Sequence, residues 1–134
     1  MDKYKELMDK AKEASKRAYC PYSNFAVGAC VLYESGAIYT GCNVENVSYG
    51  LSLCAERNAI STALGFGEKT KIKAVAIYSP KQAYCLPCGA CRQWLSEFCL
   101  DKEQTKIILE DKNKEIVVLT QEEIFPYGFK FNFD

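Results

Sequence analysis

Tyr4, Leu7, Met8, Ala11, Ala14 and Ala18 recur at helical spacing with lysines and glutamates between them, which predicts a first helix ending before Pro21. Residues 27–33 and 38–43 read as two strands, joined by a hairpin turn at Glu34-Ser35-Gly36. A second helix is expected over residues 53–64, with Ser52 capping its start and Gly65 closing its end. Residues 73–79 predict a strand whose middle, 74–78, is continuously apolar, as in a strand covered on both faces. A third helix should begin near Cys88 and turn Trp94, Leu95 and Phe98 inward, and residues 105–109 and 115–120 supply the last two strands. Neither a repeat nor a linker interrupts this α-ββ-α-β-α-ββ order, so residues 1–134 read as one α/β domain with a mixed sheet covered by helices. Only Glu110-Asp111-Lys112-Asn113-Lys114 separates the last two strands. So short a connection permits an antiparallel pair, whereas a parallel pair requires a crossover of about a dozen residues or more.

Composition narrows the choice of chemistry. The apolar share of 49% and charged share of 25% fit an ordinary globular chain of 134 residues with a single core. Lys plus Arg and Asp plus Glu are balanced at 17 each, which offers no electrostatic footprint for a phosphate backbone and argues against a nucleic-acid partner. The longest apolar runs are far too short to span a bilayer, and the first residues lack the apolar core of a secretory signal. A cytoplasmic location without a membrane partner is therefore expected, where thiols stay reduced. The chain carries eight cysteines and no histidine, so any metal must be held by thiolates and carboxylates.

Three of those cysteines are spaced for chemistry: Cys54 in Cys54-Ala55-Glu56, and the pair in Pro87-Cys88-Gly89-Ala90-Cys91. Cys88 and Cys91, three apart in a first helical turn, share one face and can grip one ion. Cys54 belongs to the first turn of the preceding helix, across an intervening strand. Two helix N-termini side by side over the ends of parallel strands would converge on one tetrahedral centre and favour thiolates there. Three ligands leave a fourth zinc position open, the mark of a catalytic site. Glu56 lies about 200° around the helix from Cys54 and suits proton transfer near the metal rather than ligation. Arg57, three residues from Cys54, and Arg92, four from Cys88, would offset the charge of three thiolates. Two other readings stay open at this point: a closed four-cysteine site that adds Cys85, and a redox dithiol. Cys20, Cys30, Cys42 and Cys99 read as small buried hydrophobes.

Cys-Ala-Glu followed about thirty residues later by Pro-Cys-x-x-Cys resembles the zinc deaminase signature. Tyr22-Ser23-Asn24-Phe25-Ala26-Val27-Gly28-Ala29, Tyr39-Thr40-Gly41-Cys42-Asn43-Val44-Glu45-Asn46, Leu51-Ser52-Leu53-Cys54-Ala55-Glu56-Arg57-Asn58-Ala59 and Cys88-Gly89-Ala90-Cys91-Arg92-Gln93 extend the resemblance to the small cytidine deaminases across essentially the whole chain. The resemblance implies a three-layer α/β/α domain with a five-stranded mixed sheet. It also implies one Zn²⁺ per chain on Cys54, Cys88 and Cys91, with Glu56 as the proton carrier and Arg57 behind the ligands. Asn43 and Glu45 match a ribose-binding pair, Phe25 a residue beside the pyrimidine, and Ala55 a backbone contact to the base. Phe129 matches a phenylalanine that reaches a neighbouring subunit's site in homotetrameric relatives. The tail aromatics Phe125, Tyr127, Phe129, Phe131 and Phe133 ask for a partner surface in the same way. Cys85 stands where relatives more often carry serine or threonine, and Ser48 and residues 130–134 are also less typical.

Relatives of this kind act on free nucleosides, on the nucleoside antibiotic blasticidin S, or on bases within polynucleotides. The short connection between the last strands and the zero net charge resemble the free-nucleoside enzymes. The Asn43/Glu45 pair favours a ribose over the blasticidin-type substrate. The expectation is hydrolytic deamination of cytidine and deoxycytidine in pyrimidine salvage. A structural zinc module is the competing non-enzymatic reading; it predicts a closed four-cysteine site and tolerance of substitution at Glu56.

Overall fold

The structure, a computed structural model, describes residues 2–130; Phe131, Phe133 and the rest of the tail lie outside the described residues. The elements are α1 (Asp2–Ser15), β1 (Gly28–Tyr33), β2 (Ile38–Cys42), α2 (Ala55–Gly65), β3 (Ile72–Tyr78), α3 (Gly89–Phe98), β4 (Lys106–Glu110), β5 (Ile116–Thr120) and α4 (Gln121–Ile124), with a 3-10 turn at Tyr49–Leu51. They build one five-stranded sheet in the order β2-β1-β3-β4-β5. Strands β2, β3 and β4 run in one direction and β1 and β5 in the other. The β4–β5 pair is antiparallel, as its short connection requires.

Side-chain alternation along the strands divides the core in two. Cys30, Leu32, Ala74, Ala76 and Ile108 meet Leu7, Met8 and Ala11 of α1 on one face. Ala29, Val31, Val75, Ile77, Ile107 and Leu109 point to the other, against Ala55, Ala59, Ile60 and Ala63 of α2 and Leu95 of α3. Coverage on both faces is why β3 is an uninterrupted apolar run. The result is the three-layer α/β/α arrangement expected from the sequence. Trp94 and Phe98 are half-buried at the edge of the second core and Leu95 is fully buried in it.

This topology places the site. Since β2 and β3 are parallel and flank β1, α2 and α3 both start at the same end of the sheet. Gly41 allows α2 to sit there: a Cβ at this position would lie 2.5 Å from the Ala59 amide nitrogen and 2.6 Å from the Ala55 carbonyl oxygen.

Several boundaries differ from the sequence expectation. Helix α1 stops at Ser15 rather than reaching Ala18, because Lys16, Arg17 and Ala18 donate to carbonyls three residues back and tighten the chain out of the helix. Ser52 does not cap α2; its hydroxyl accepts the Asn46 N–H and its own N–H closes the 3-10 turn on Tyr49. Cys54 is the N-cap instead, in extended conformation. Gly65 lies inside the last turn, and α2 is closed by Gly67 at φ +89°, where Gly67 and Glu68 donate back to Leu64 and Ala63 in a Schellman arrangement. Among the described residues, no helix is long and apolar enough to cross a membrane.

Candidate metal centre and active site

Cys54 and Cys88 occupy the N-cap positions of α2 and α3, and neither side chain caps a backbone N–H of its helix. Both sulfurs are free to face outward from the helix ends, and Cys91 adds a third from the first turn of α3. The three Sγ atoms lie within 4.8 Å of one another, the one such group of metal-ligating side chains among the described residues. Cys54 and Cys88 are 3.7 Å apart. Tetrahedral zinc with Zn–S bonds of about 2.3 Å sets sulfurs about 3.8 Å apart, so the donor set has the chemistry and spacing of that ion. Cys85 is not part of the group; it is half-buried against the core under α2 and α3, and burial pushes its thiol up to about 11.

Electrostatics within the cluster favour thiolate at Cys54. A hydrogen bond from Cys91 pulls the Cys54 thiol down to about 5 against the effect of burial, and the Arg57 guanidinium adds to the pull through Nη2 at 3.4 Å from Sγ. The Cys91 thiol moves the other way, since its proton is the one shared with Cys54. Glu56, next to Cys54 in the first turn of α2, is only 3% exposed. Burial pushes its carboxyl up to about 7, and the charge on Cys54 adds to the rise. A carboxyl poised near neutrality is suited to both taking and giving a proton.

Arg92 departs from the sequence expectation. Its Nε donates to the Pro87 carbonyl at 2.7 Å and its Nη1 to the Ile124 carbonyl at 2.8 Å. It holds the segment ahead of Cys88 against the end of α4 instead of facing a thiolate.

Asn43 and Glu45, just beyond β2, both turn toward residues 22–27. Asn43 accepts the Val27 N–H at 2.9 Å and donates to the Phe25 carbonyl at 2.8 Å. Glu45 Oε1 accepts the N–H groups of Tyr22 and Ser23 at 3.0 and 3.2 Å, and Oε2 accepts the Ser23 hydroxyl. The Ser23 bonds hold the Glu45 carboxyl below its usual range. A cavity of about 330 Å³ lies beside it, lined by Tyr22, Ser23, Glu45, Tyr49 and Ser52. Phe25 is half-buried and Ala55 fully buried at the start of α2.

Phe129 lies elsewhere in this chain. Its backbone N–H and carbonyl are both held by the Gln93 carboxamide, at 3.0 and 2.9 Å, while its side chain is 74% exposed. It lines a cavity along the C-terminal half of α3 that includes none of the three clustered cysteines. Sequence reasoning also passed over Ser23, Gln93 and Asn58, whose Nδ2 ties α2 to the Cys42 carbonyl at 2.8 Å. Each sits inside a recognisable motif, but its partner is remote in sequence.

A three-thiol cluster beside a buried carboxyl, set at two helix N-termini over a mixed sheet, defines a class of zinc-binding deaminases. Residues 1–106 match the family model of the cytidine and deoxycytidylate deaminase zinc-binding region, and the chain belongs to that family. Within it, the chain is 39% identical over 123 residues to the cytidine deaminase of Halalkalibacterium halodurans, covering 92% of this chain and 91% of that protein. It is 46% identical over 94 residues to the cytidine deaminase of Sporosarcina psychrophila, 70% of this chain and 68% of that one. The crystal structure of cytidine deaminase from Burkholderia pseudomallei superimposes with a TM-score of 0.84 at 38% identity, covering 93% of this chain and 98% of the other. A cyanophage dCMP deaminase shares the fold alone, at a TM-score of 0.52 and 21% identity.

Proposed function

We propose that this protein hydrolyses free cytidine and deoxycytidine to uridine and deoxyuridine, releasing ammonia, with one Zn²⁺ per chain held by Cys54, Cys88 and Cys91. The observation that carries the reading is the convergence of these three sulfurs within 4.8 Å beside the buried Glu56. A closed structural zinc site would need a fourth ligand, and Cys85 stands outside the group.

Bound zinc supplies Lewis acidity that lowers the pKa of water at the site. Glu56 accepts a proton from the water whose oxygen adds to C4 of the ring, and passes that proton to N3. It then carries the second proton to the departing amino group, so that cytidine and water become uridine and ammonia. Arg57 offsets the negative charge of the thiolates through its bond to Cys54. Phe25 packs beside the pyrimidine, the Ala55 backbone meets the base, and Asn43 and Glu45 take the sugar.

Free nucleoside rather than polynucleotide is favoured by the zero net charge and by the antiparallel β4–β5 pair, joined directly by five residues. Assembly as a homotetramer with shared sites accounts for Tyr127 and Phe129, which are 95% and 74% exposed. A cytoplasmic place in pyrimidine salvage completes the reading. The test is conversion of cytidine by the zinc-loaded protein, followed by absorbance and by ammonia release. Loss of turnover in Glu56→Gln with zinc retained supports the proposal; an inactive zinc-loaded parent opposes it.

A further inference from the structure

The hydroxyl of Ser23 makes two connections at once. Its oxygen accepts the Phe25 N–H at 3.0 Å, which leaves its one proton for Oε2 of Glu45. A carboxylate offers about four acceptor positions. Tyr22 and Ser23 backbone N–H groups fill both on Oε1, and the Ser23 hydroxyl fills one on Oε2. The acceptor left over is on Oε2, the oxygen that Ser23 holds, and Glu45 and Ser23 both line the 330 Å³ cavity. Among the described residues, none of the ion pairs involves Glu45, so neutral donors hold the carboxylate and its open acceptor can take a hydroxyl.

We propose that Ser23 is a positioning residue for sugar recognition, acting through Glu45 and coupling it to the Phe25 backbone. The inference rests on the cytidine reading of the site. It is separable from a role in holding the loop, because the loop has other anchors. Tyr19 donates to Asn43 and Glu45 to Tyr19 through the backbone, at 3.0 and 2.8 Å, and Asn24 donates to Cys20 at 2.9 Å. The Asn43 carboxamide adds its own two bonds to Phe25 and Val27. Ser23 is also exposed, so truncation to alanine opens no cavity in the core.

The experiment compares cytidine with 2′,3′-dideoxycytidine, which lacks the ring hydroxyls of the sugar, on zinc-loaded enzyme. Ser23→Ala should lower kcat/KM for cytidine about 10-fold, mainly through KM, as expected for losing one hydrogen bond to a charged group. Zinc content and Tm should stay at the parent values, and dideoxycytidine turnover should change by less than about twofold. Ser23→Thr keeps the hydroxyl and should keep the parent preference for cytidine. An equal loss on both substrates, or no loss on either, overturns the role of Ser23. Glu45→Gln checks the reading beneath it: this variant should erase most of the preference for cytidine over dideoxycytidine. If Glu45→Gln leaves that preference intact, the sugar assignment itself fails, and the role of Ser23 with it.

Discussion

Gly41 is the position where a single methyl group most directly displaces the chemistry. Its missing Cβ would sit 2.5 Å from the Ala59 nitrogen, 0.9 Å short of an ordinary 3.4 Å contact, and 2.6 Å from the Ala55 oxygen. Both atoms are backbone, so no rotamer change relieves the overlap and the first turns of α2 must move by nearly an ångström. That turn carries Cys54 and Glu56. Overpacking of this kind destabilises by about 1–3 kcal/mol. In a chain of this size that lowers Tm by roughly 4–11 °C. A misplacement of about 1 Å at a reacting centre costs roughly 10²-fold in rate. Gly41→Ala should therefore lose stability in a thermal melt and lose cytidine turnover more than its stability loss explains at assay temperature. Gly65→Ala is the control, since a Cβ at the far end of the same helix meets nothing within 4 Å. It should leave activity unchanged and stability equal or slightly higher, by up to about 1 kcal/mol. A Gly41→Ala protein with parental Tm and parental kcat/KM would refute the argument that close packing at this glycine sets the position of the site.

Metal analysis of single alanine variants should show zinc falling sharply for Cys54, Cys88 or Cys91 and remaining near one per chain for Cys85→Ala; loss of zinc on changing Cys85 would contradict the three-ligand assignment. Phe129→Ala should weaken activity while its zinc stays bound, because Gln93 holds the Phe129 backbone with the side chain exposed, and the proposed tetramer would set that side chain at a neighbouring copy's site. Light scattering on the parent should give a tetramer, and a fully active monomer would exclude shared sites.

Much of this was legible in the sequence where the signal is local. The strand positions, the apolar run of the middle strand and the Cys-x-x-Cys turn follow from spacing alone, and the antiparallel last pair follows from a five-residue connection. The sequence sets the start of α2 too early because Ser52 is the better N-cap by intrinsic preference. Its hydroxyl is committed to Asn46, and the cap position goes to a cysteine whose value lies in the cluster rather than in helix propensity. Helix α4 escapes a reading by periodicity, since four residues are too few to show it, although Thr120 and Glu123 form a complete capping box. Arg92 illustrates the limit of spacing arguments: four residues from Cys88 is close enough for contact, but the guanidinium instead bonds the carbonyl of Ile124, 32 residues away. The clamp of Glu45 on Tyr22 and Ser23 is hidden for the same reason, since its partners are 22 and 23 residues distant.

Under the proposed function, a zinc held by Cys54, Cys88 and Cys91 works with Glu56 to deaminate cytidine. One measurement addresses it most directly: steady-state conversion of cytidine to uridine by parent and Glu56→Gln, each with zinc quantified in the same preparation. The parent should release one ammonia per uridine formed, and the variant should hold its zinc and melt like the parent. Its kcat should fall at least ~10²–10⁴-fold, the range for removing a general acid–base, since one carboxyl serves several transfers. A zinc-loaded parent that leaves cytidine unchanged, or a Glu56→Gln protein that turns it over at a near-parental rate, would contradict the account.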